Sequence, residues 1–178
     1  MFNWTTSKKT YTVGSLLCFN ESALRHLFQT LDGETAGPKS FSGLTGIQLS
    51  KCKKLPIVDF ESVDCEVPDI DPNILSKDQQ NLIHTSSAIK SDNFPVDLSI
   101  RKPGPLSHLQ WLTTVNRVFR LYVSEETPSD EHKILVSFIL KSYMPIGFKI
   151  KKSKLFNRWS WTHFWSYQIY KKSTREFG

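Results

Sequence analysis

A mainly α protein with minor β, in an irregular and incomplete domain, is predicted by three features of the sequence. Two segments, about 106–124 and 130–143, repeat apolar residues at helical spacing across a short link, and so predict an antiparallel helix pair. Beyond Pro145 the apolar period changes to two, which predicts a little strand. No series of hydrophobic strands stands elsewhere to build a larger sheet. At 178 residues, 39% hydrophobic and 12% aromatic, the chain is long enough for a sizeable core. It divides into a loop-rich acidic region (1–104) with helices near 21–32 and 77–90, a helical core (105–145) and a basic aromatic tail (146–178).

Met1 to Thr10 reads as a frayed end. Asn20 can cap a helix over about 21–32, where Leu24, Leu27, Phe28 and Leu31 share one face and Gly33 supplies a left-handed stop. His26 falls on the polar flank as a solvated side chain, and Asp32 and Glu34 are terminus and loop residues rather than an acid/base pair. Glycines 33, 37, 43 and 46 with Pro38 predict a long loop. Its Gly43-Leu44-Thr45-Gly46 run lacks the Lys-Ser/Thr ending of a phosphate-binding loop.

After the basic cluster Lys51-Cys52-Lys53-Lys54, the β-branched content of Leu55 to Phe60 predicts a short strand. Residues 57–97 hold nine carboxylates against Lys77 and Lys90, with Pro68 and Pro72 blocking regular structure. Such a density of acids serves divalent-metal phosphoryl chemistry when the carboxylates converge, but no spacing here places two of them on one strand or helix face. A solvated acidic loop is the expectation. Ser76 and Gln79 form a capping box for a helix over about 77–90, and Pro95, Pro103 and Pro105 punctuate a linker.

In the helix pair, Leu109, Leu112, Val115, Phe119, Tyr122 and Val123 fall on one side, with Thr113, Arg117 and Arg120 elsewhere. Arg117 and Arg120 lie on neighbouring turns, placed for two phosphates or, as the favoured partner, the carboxylates of the acidic middle. His108 reads as a helix-start residue and Trp111 as a core anchor. Pro128-Ser129-Asp130 starts the second helix, Ile134, Leu135, Phe138 and Ile139 form its apolar face, and it should end before Pro145. Over 146–170, Ile146, Phe148 and Ile150, then Trp159, Trp161, His163, Trp165, Tyr167 and Ile169, alternate as strands would. Phe156, Trp159, Tyr167 and Tyr170 also fit a helical face.

Net charge is +6 and unevenly distributed: residues 1–100 carry nine Lys or Arg against twelve Asp or Glu, and residues 101–178 carry fourteen against five. The basic half favours an anionic partner, nucleic acid before a membrane surface. Residues 141–178 hold nine cations against Glu176, interleaved with aromatics able to stack on bases. The candidate nucleic-acid contacts are Lys149, Lys151, Lys152, Lys154, Arg158, Trp159, Trp161, Lys171 and Lys172. A structural aromatic cluster under a solubilising basic rim is the alternative. No RNA-binding signature or zinc finger accompanies them.

Cys18, Cys52 and Cys65 form an odd set without close spacing, which suits buried thiols better than disulfides or a metal site. No nucleophile motif joins the cysteines, serines, His26 and His84, so no catalytic residue, metal or cofactor is expected. No apolar run is long enough to span a bilayer, and an intracellular protein, compatible with the nucleus, is the expectation.

The run Ser-His-x-x-Trp-Leu-Thr-x-x-Asn-Arg-x-x-Arg-Leu-Tyr-Val-Ser, within Pro105 to Ser124, resembles a family of invertebrate proteins that recur in genomes and look derived from mobile elements. Glu21 to Gly46, Leu55 to Phe60 and Ile134 to Lys151 are similar to the same pattern, so the resemblance covers roughly residues 16–151. Cys18-Phe19-Asn20-Glu21 lacks the family's histidine, and Gly147 stands where the family has tryptophan. The resemblance implies transposase-like ancestry, and the departures imply a truncated copy. The expected function is a non-catalytic remnant of a transposable-element protein with weak nucleic-acid binding. A helical protein-interaction module and a metal-dependent polynucleotidyl transferase are the alternatives.

Overall fold

The computed structural model describes residues 4–37, 40–101, 103–104 and 111–152, and it is mainly helical. Helix α1 runs from Trp4 to Asp32. It therefore starts well before the predicted cap: Asn20 is an interior helical residue, and its side-chain amide donates across the fold to the Tyr143 carbonyl at 3.0 Å. Residues 4–19 contain no proline to stop the helix, so a good capping residue inside it does not end it. Gly33, at φ +88°, does end it, in the left-handed region that glycine enters without strain.

The predicted loop after Gly33 contains a two-stranded antiparallel ribbon, Thr35–Gly37 (β1) with Ser40–Phe41 (β2), and a short helix α2, Leu44–Leu49. The Asp32 carboxylate receives the Thr45 and Gly46 amides at 2.8 and 2.6 Å, satisfying two donors that the start of α2 leaves open. Gly43 makes this possible, because a Cβ there would fall on the Asp32 carbonyl.

Residues 55–71 form no strand. They run as an irregular strap, tied to the end of the next long helix but one by a backbone bond from Val58 N–H to the Val123 carbonyl, 3.0 Å. β-branched content favours extended backbone, but without a neighbouring strand it yields no ladder. Helix α3 (Lys77–Ser91) carries the expected capping box: Gln79 N–H donates to Ser76 Oγ, and Ser76 N–H donates to Gln79 Oε1. Its C-cap is Asp92, at φ 52°. A short helix α4, Val96–Ile100, lies within the expected linker.

Helix α5, Trp111–Tyr122, is buried on nearly every side, with only Leu112 half-exposed. Its polar residues are therefore not a solvated face. Asn116 donates to the Asp78 carbonyl and accepts from Asn81, while the Tyr122 hydroxyl donates to the Glu61 carbonyl at 2.8 Å. The polar side of α5 supplies donors to carbonyls of the irregular strap and of α3, and such pairing is the condition under which these groups can be buried.

Helix α6 spans Asp130–Phe138, with Ser129 Oγ accepting the His132 N–H as its cap. The predicted antiparallel pair of α5 and α6 is not the arrangement that organises this region, for two reasons. The most extensive packing of α5 is against α3 rather than α6. And α6 does not stop before Pro145: it passes through a π turn, Ile139–Tyr143, into helix α7, Met144–Lys152. The π turn restarts the ladder, so Pro145 falls in the first turn of α7, where a missing N–H is tolerated. The strand expected over 146–151 is thus helix. Met144, Phe148 and Lys151, at i, i+4 and i+7, share its buried side while Ile146 is exposed.

One hydrophobic cluster draws on α1 (Leu24, Phe28), α3 (Leu82, Ile89), α5 (Val115, Phe119), the α6 and π segment (Leu135, Ile139, Leu140) and α7 (Phe148). Trp111 packs edge-on to Phe28, ring centroids 6.0 Å apart, as a core anchor. No described helix is long and apolar enough to cross a membrane.

Candidate functional site

Three of the nine sequence-derived nucleic-acid contacts lie on α7. Lys149 is exposed. Lys152 is exposed and donates to the Asp69 carbonyl at 2.9 Å, a neutral partner that leaves its charge uncompensated. Lys151 is turned inward, 9% exposed, with Nζ donating to Gln79 Oε1 at 2.6 Å, and burial lowers its pKa. It cannot meet a phosphate from that position. The helical period puts it on the inner side; a strand would have placed it outside with Lys149. Lys154, Arg158, Trp159, Trp161, Lys171 and Lys172 lie outside the described residues, as does His108.

Arg117 and Arg120 meet neither phosphate nor carboxylate. Arg117 donates Nη1 to the Leu49 carbonyl at 2.8 Å and Nε and Nη2 to the Gly104 carbonyl at 3.2 and 2.8 Å. Arg120 donates Nη2 to the Leu55 carbonyl at 2.8 Å, while its Nε and Nη1 are buried with no acceptor. Burial lowers both guanidinium pKa values. Cys52 is fully buried, and burial pushes its thiol up against the pull of Arg117, Arg120 and Lys53, so it is an inert core thiol. Cys65 is likewise buried with a raised pKa, and Cys18 is half-exposed.

His132, which no sequence spacing singled out, is buried under Tyr122, with Nδ1 2.8 Å from Glu125 Oε2 and Nε2 3.1 Å from the Val118 carbonyl. It bridges α5 to the start of α6.

The remaining concentration of polar groups lies where α1, α3, α5 and α7 meet. A small half-open cleft there, of about 20 Å³, has Glu21, Tyr143 and Gln79 among its polar lining. The Tyr143 hydroxyl donates to Glu21 Oε1 at 2.7 Å, and Glu21 Oε2 is buried without a donor. Burial pushes the Glu21 carboxyl up to about 7, only partly opposed by the Tyr143 hydrogen bond. Burial, with Glu21 beside it, holds Tyr143 well above the usual phenol range. Sequence reading passed over this pair because the residues stand 122 apart on different helices. The π turn that carries Tyr143 had no spacing signature to betray it.

Among the described residues, no three His, Cys, Asp or Glu come together as a metal site would need, and the acids of 57–97 do not converge. No family model, curated protein or solved structure matches the chain.

Proposed function

We propose that this chain is a non-catalytic helical domain of mobile-element ancestry that binds nucleic acid through the end of α7 and the basic aromatic sequence after it. The observation that carries this reading is charge left uncompensated. Residues 141–178 hold nine Lys or Arg against one Glu, and neither Lys149 nor Lys152 forms an ion pair with a described carboxylate. Cations in that state release counterions from a polyanion when they bind it. The ancestry rests on the motif resemblance within residues 16–151. Loss of Lys151 and of both α5 arginines to internal bonds narrows the surface to the last turn of α7 and the basic residues C-terminal to it.

The test is a salt titration of labelled duplex and single-stranded DNA against the whole chain. Affinity should fall linearly on a log–log plot with a slope of several units, and K149E/K152E should weaken binding to every sequence alike. Salt-independent binding, or none at low salt, would overturn the proposal. A second reading, a protein-docking module, is favoured by Val96 and Ile100, 80% and 73% exposed and one turn apart on α4. Self-association abolished by V96D, with DNA binding absent, would select it.

A further inference from the structure

Both nitrogens of the His132 ring face an acceptor. Nδ1 lies 2.8 Å from Glu125 Oε2 and Nε2 lies 3.1 Å from the Val118 carbonyl oxygen, and the residue is only 1% exposed. A neutral imidazole carries one N–H, so either tautomer would set a nitrogen lone pair against an oxygen, whereas the doubly protonated ring donates to both. Buried polar groups need their partners, so the charge of this ring decides whether both contacts are made. The ring also stands where three segments of the chain join. Tyr122 of α5 packs edge-on to it, ring centroids 5.7 Å apart, and donates its hydroxyl to the Glu61 carbonyl of the strap. The next residue, Val123, accepts the Val58 N–H through its carbonyl, and Lys133, beside His132 on α6, pairs with Glu61 at 3.3 Å.

We infer that His132 and Glu125 form a proton-operated latch: the imidazolium holds the end of α5, the start of α6 and the adjoining strap together, and loss of one ring proton to water releases the strap there. Glu125, partly exposed, gives that proton its route out. The other charged groups nearby do not do the same. Tyr122 keeps its proton, since burial and the charge of Glu61 raise its pKa. Glu61 is paired with Lys133, while Arg25 and His26 of α1, Asp130 and Glu131 of α6 and Lys141 of the π turn are exposed. Glu21 of α1 titrates near neutrality in its own contact with Tyr143, so it is removed before the latch is read. Neither latch residue belongs to the polyanion surface at the end of α7.

The experiment is amide hydrogen exchange with nitrogen NMR of the imidazole, on the whole chain carrying Glu21→Gln, at about pH 5.5 and about pH 8.5, either side of the range in which histidine titrates. The ring should carry protons on both nitrogens at the lower pH and on one at the higher. Protection factors at the Val58 and His132 amides, corrected for the intrinsic pH dependence of exchange, should fall at least about tenfold across that interval, as loss of about one buried hydrogen bond would give. Adding Glu125→Gln should abolish the fall, because the new amide can donate to Nδ1 while a neutral ring donates Nε2–H to the Val118 carbonyl. Unchanged protection in the Glu21→Gln chain, an equal fall with Glu125→Gln added, or a ring already neutral at the lower pH would overturn the latch. Should the Glu125→Gln chain fail to fold, His132→Gln decides, since it has no ring proton to lose: a pH-dependent fall at Val58 that survives there assigns the opening to another group.

Discussion

Burial of Glu21 ties the stability of the fold to pH through one carboxyl group. Its folded pKa, about 7, lies above the ordinary 4.5, so the folded chain holds this proton more tightly than the unfolded one. The contribution to stability is therefore fully present below pH 4.5 and is lost as pH rises through 7, by about 3 kcal/mol. Tyr143, the titratable group bonded to it, stays neutral throughout because its own value is higher still. Glu21→Gln retains an acceptor for Tyr143 and removes the charge. Urea unfolding of the two proteins at pH 5 and pH 8 should show the variant gaining on the parent by roughly 2–3 kcal/mol at the higher pH. A constant difference would mean that Glu21 ionises in the fold as it does in water.

Secondary elements are legible where their determinants are local and obscure where the partner lies far along the chain. The Ser76/Gln79 box and Gly33 are complete within a few residues, and the structure has a helix start and a helix stop there. Residues 55–60 and 146–151 read as strand because period and β-propensity do not say whether a neighbouring strand exists, nor that a π turn will absorb Pro145. Helices α5 and α6 are each visible in the sequence as amphipathic elements, but the polar side of α5 is covered by the strap and α3. Arg117 supplies three donors to two carbonyls from 13 and 68 residues away. Arg117→Met should therefore cost about 2–4 kcal/mol in urea unfolding, since the Gly104 carbonyl loses both guanidinium donors and the Leu49 carbonyl keeps only the Cys52 thiol. An unchanged midpoint would show that these bonds are made equally well by water.

On the scale of the whole molecule, a single core cluster reaches from Leu24 to Phe148, and position within it ranks substitutions. Phe119 is fully buried, whereas Phe138, the corresponding aromatic of α6, is only partly so. Phe119→Ala should lower stability by about 3–5 kcal/mol and Phe138→Ala by clearly less, as thermal or urea unfolding would report. Equal losses would place the two rings in equivalent surroundings. The basic character of the C-terminal half is legible from composition. Which cations face outward is not, since Lys151 and both arginines are drawn inside by carbonyl and amide partners that no charge count can reveal.

The stretch from Leu49 to Glu61, which leads from the end of α2 into the strap, takes its order from donors that come 61 to 68 residues later in the chain. During synthesis it leaves the ribosome before α5 exists, so it must wait in water, and its carboxylates Asp59 and Glu61, with Asp64 and Glu66 just beyond, suit it to waiting without clumping. A force profile from arrest-peptide fusions should therefore show no compaction until α5 has cleared the exit tunnel. Early tension at shorter lengths would mean that the nascent segment organises itself unaided.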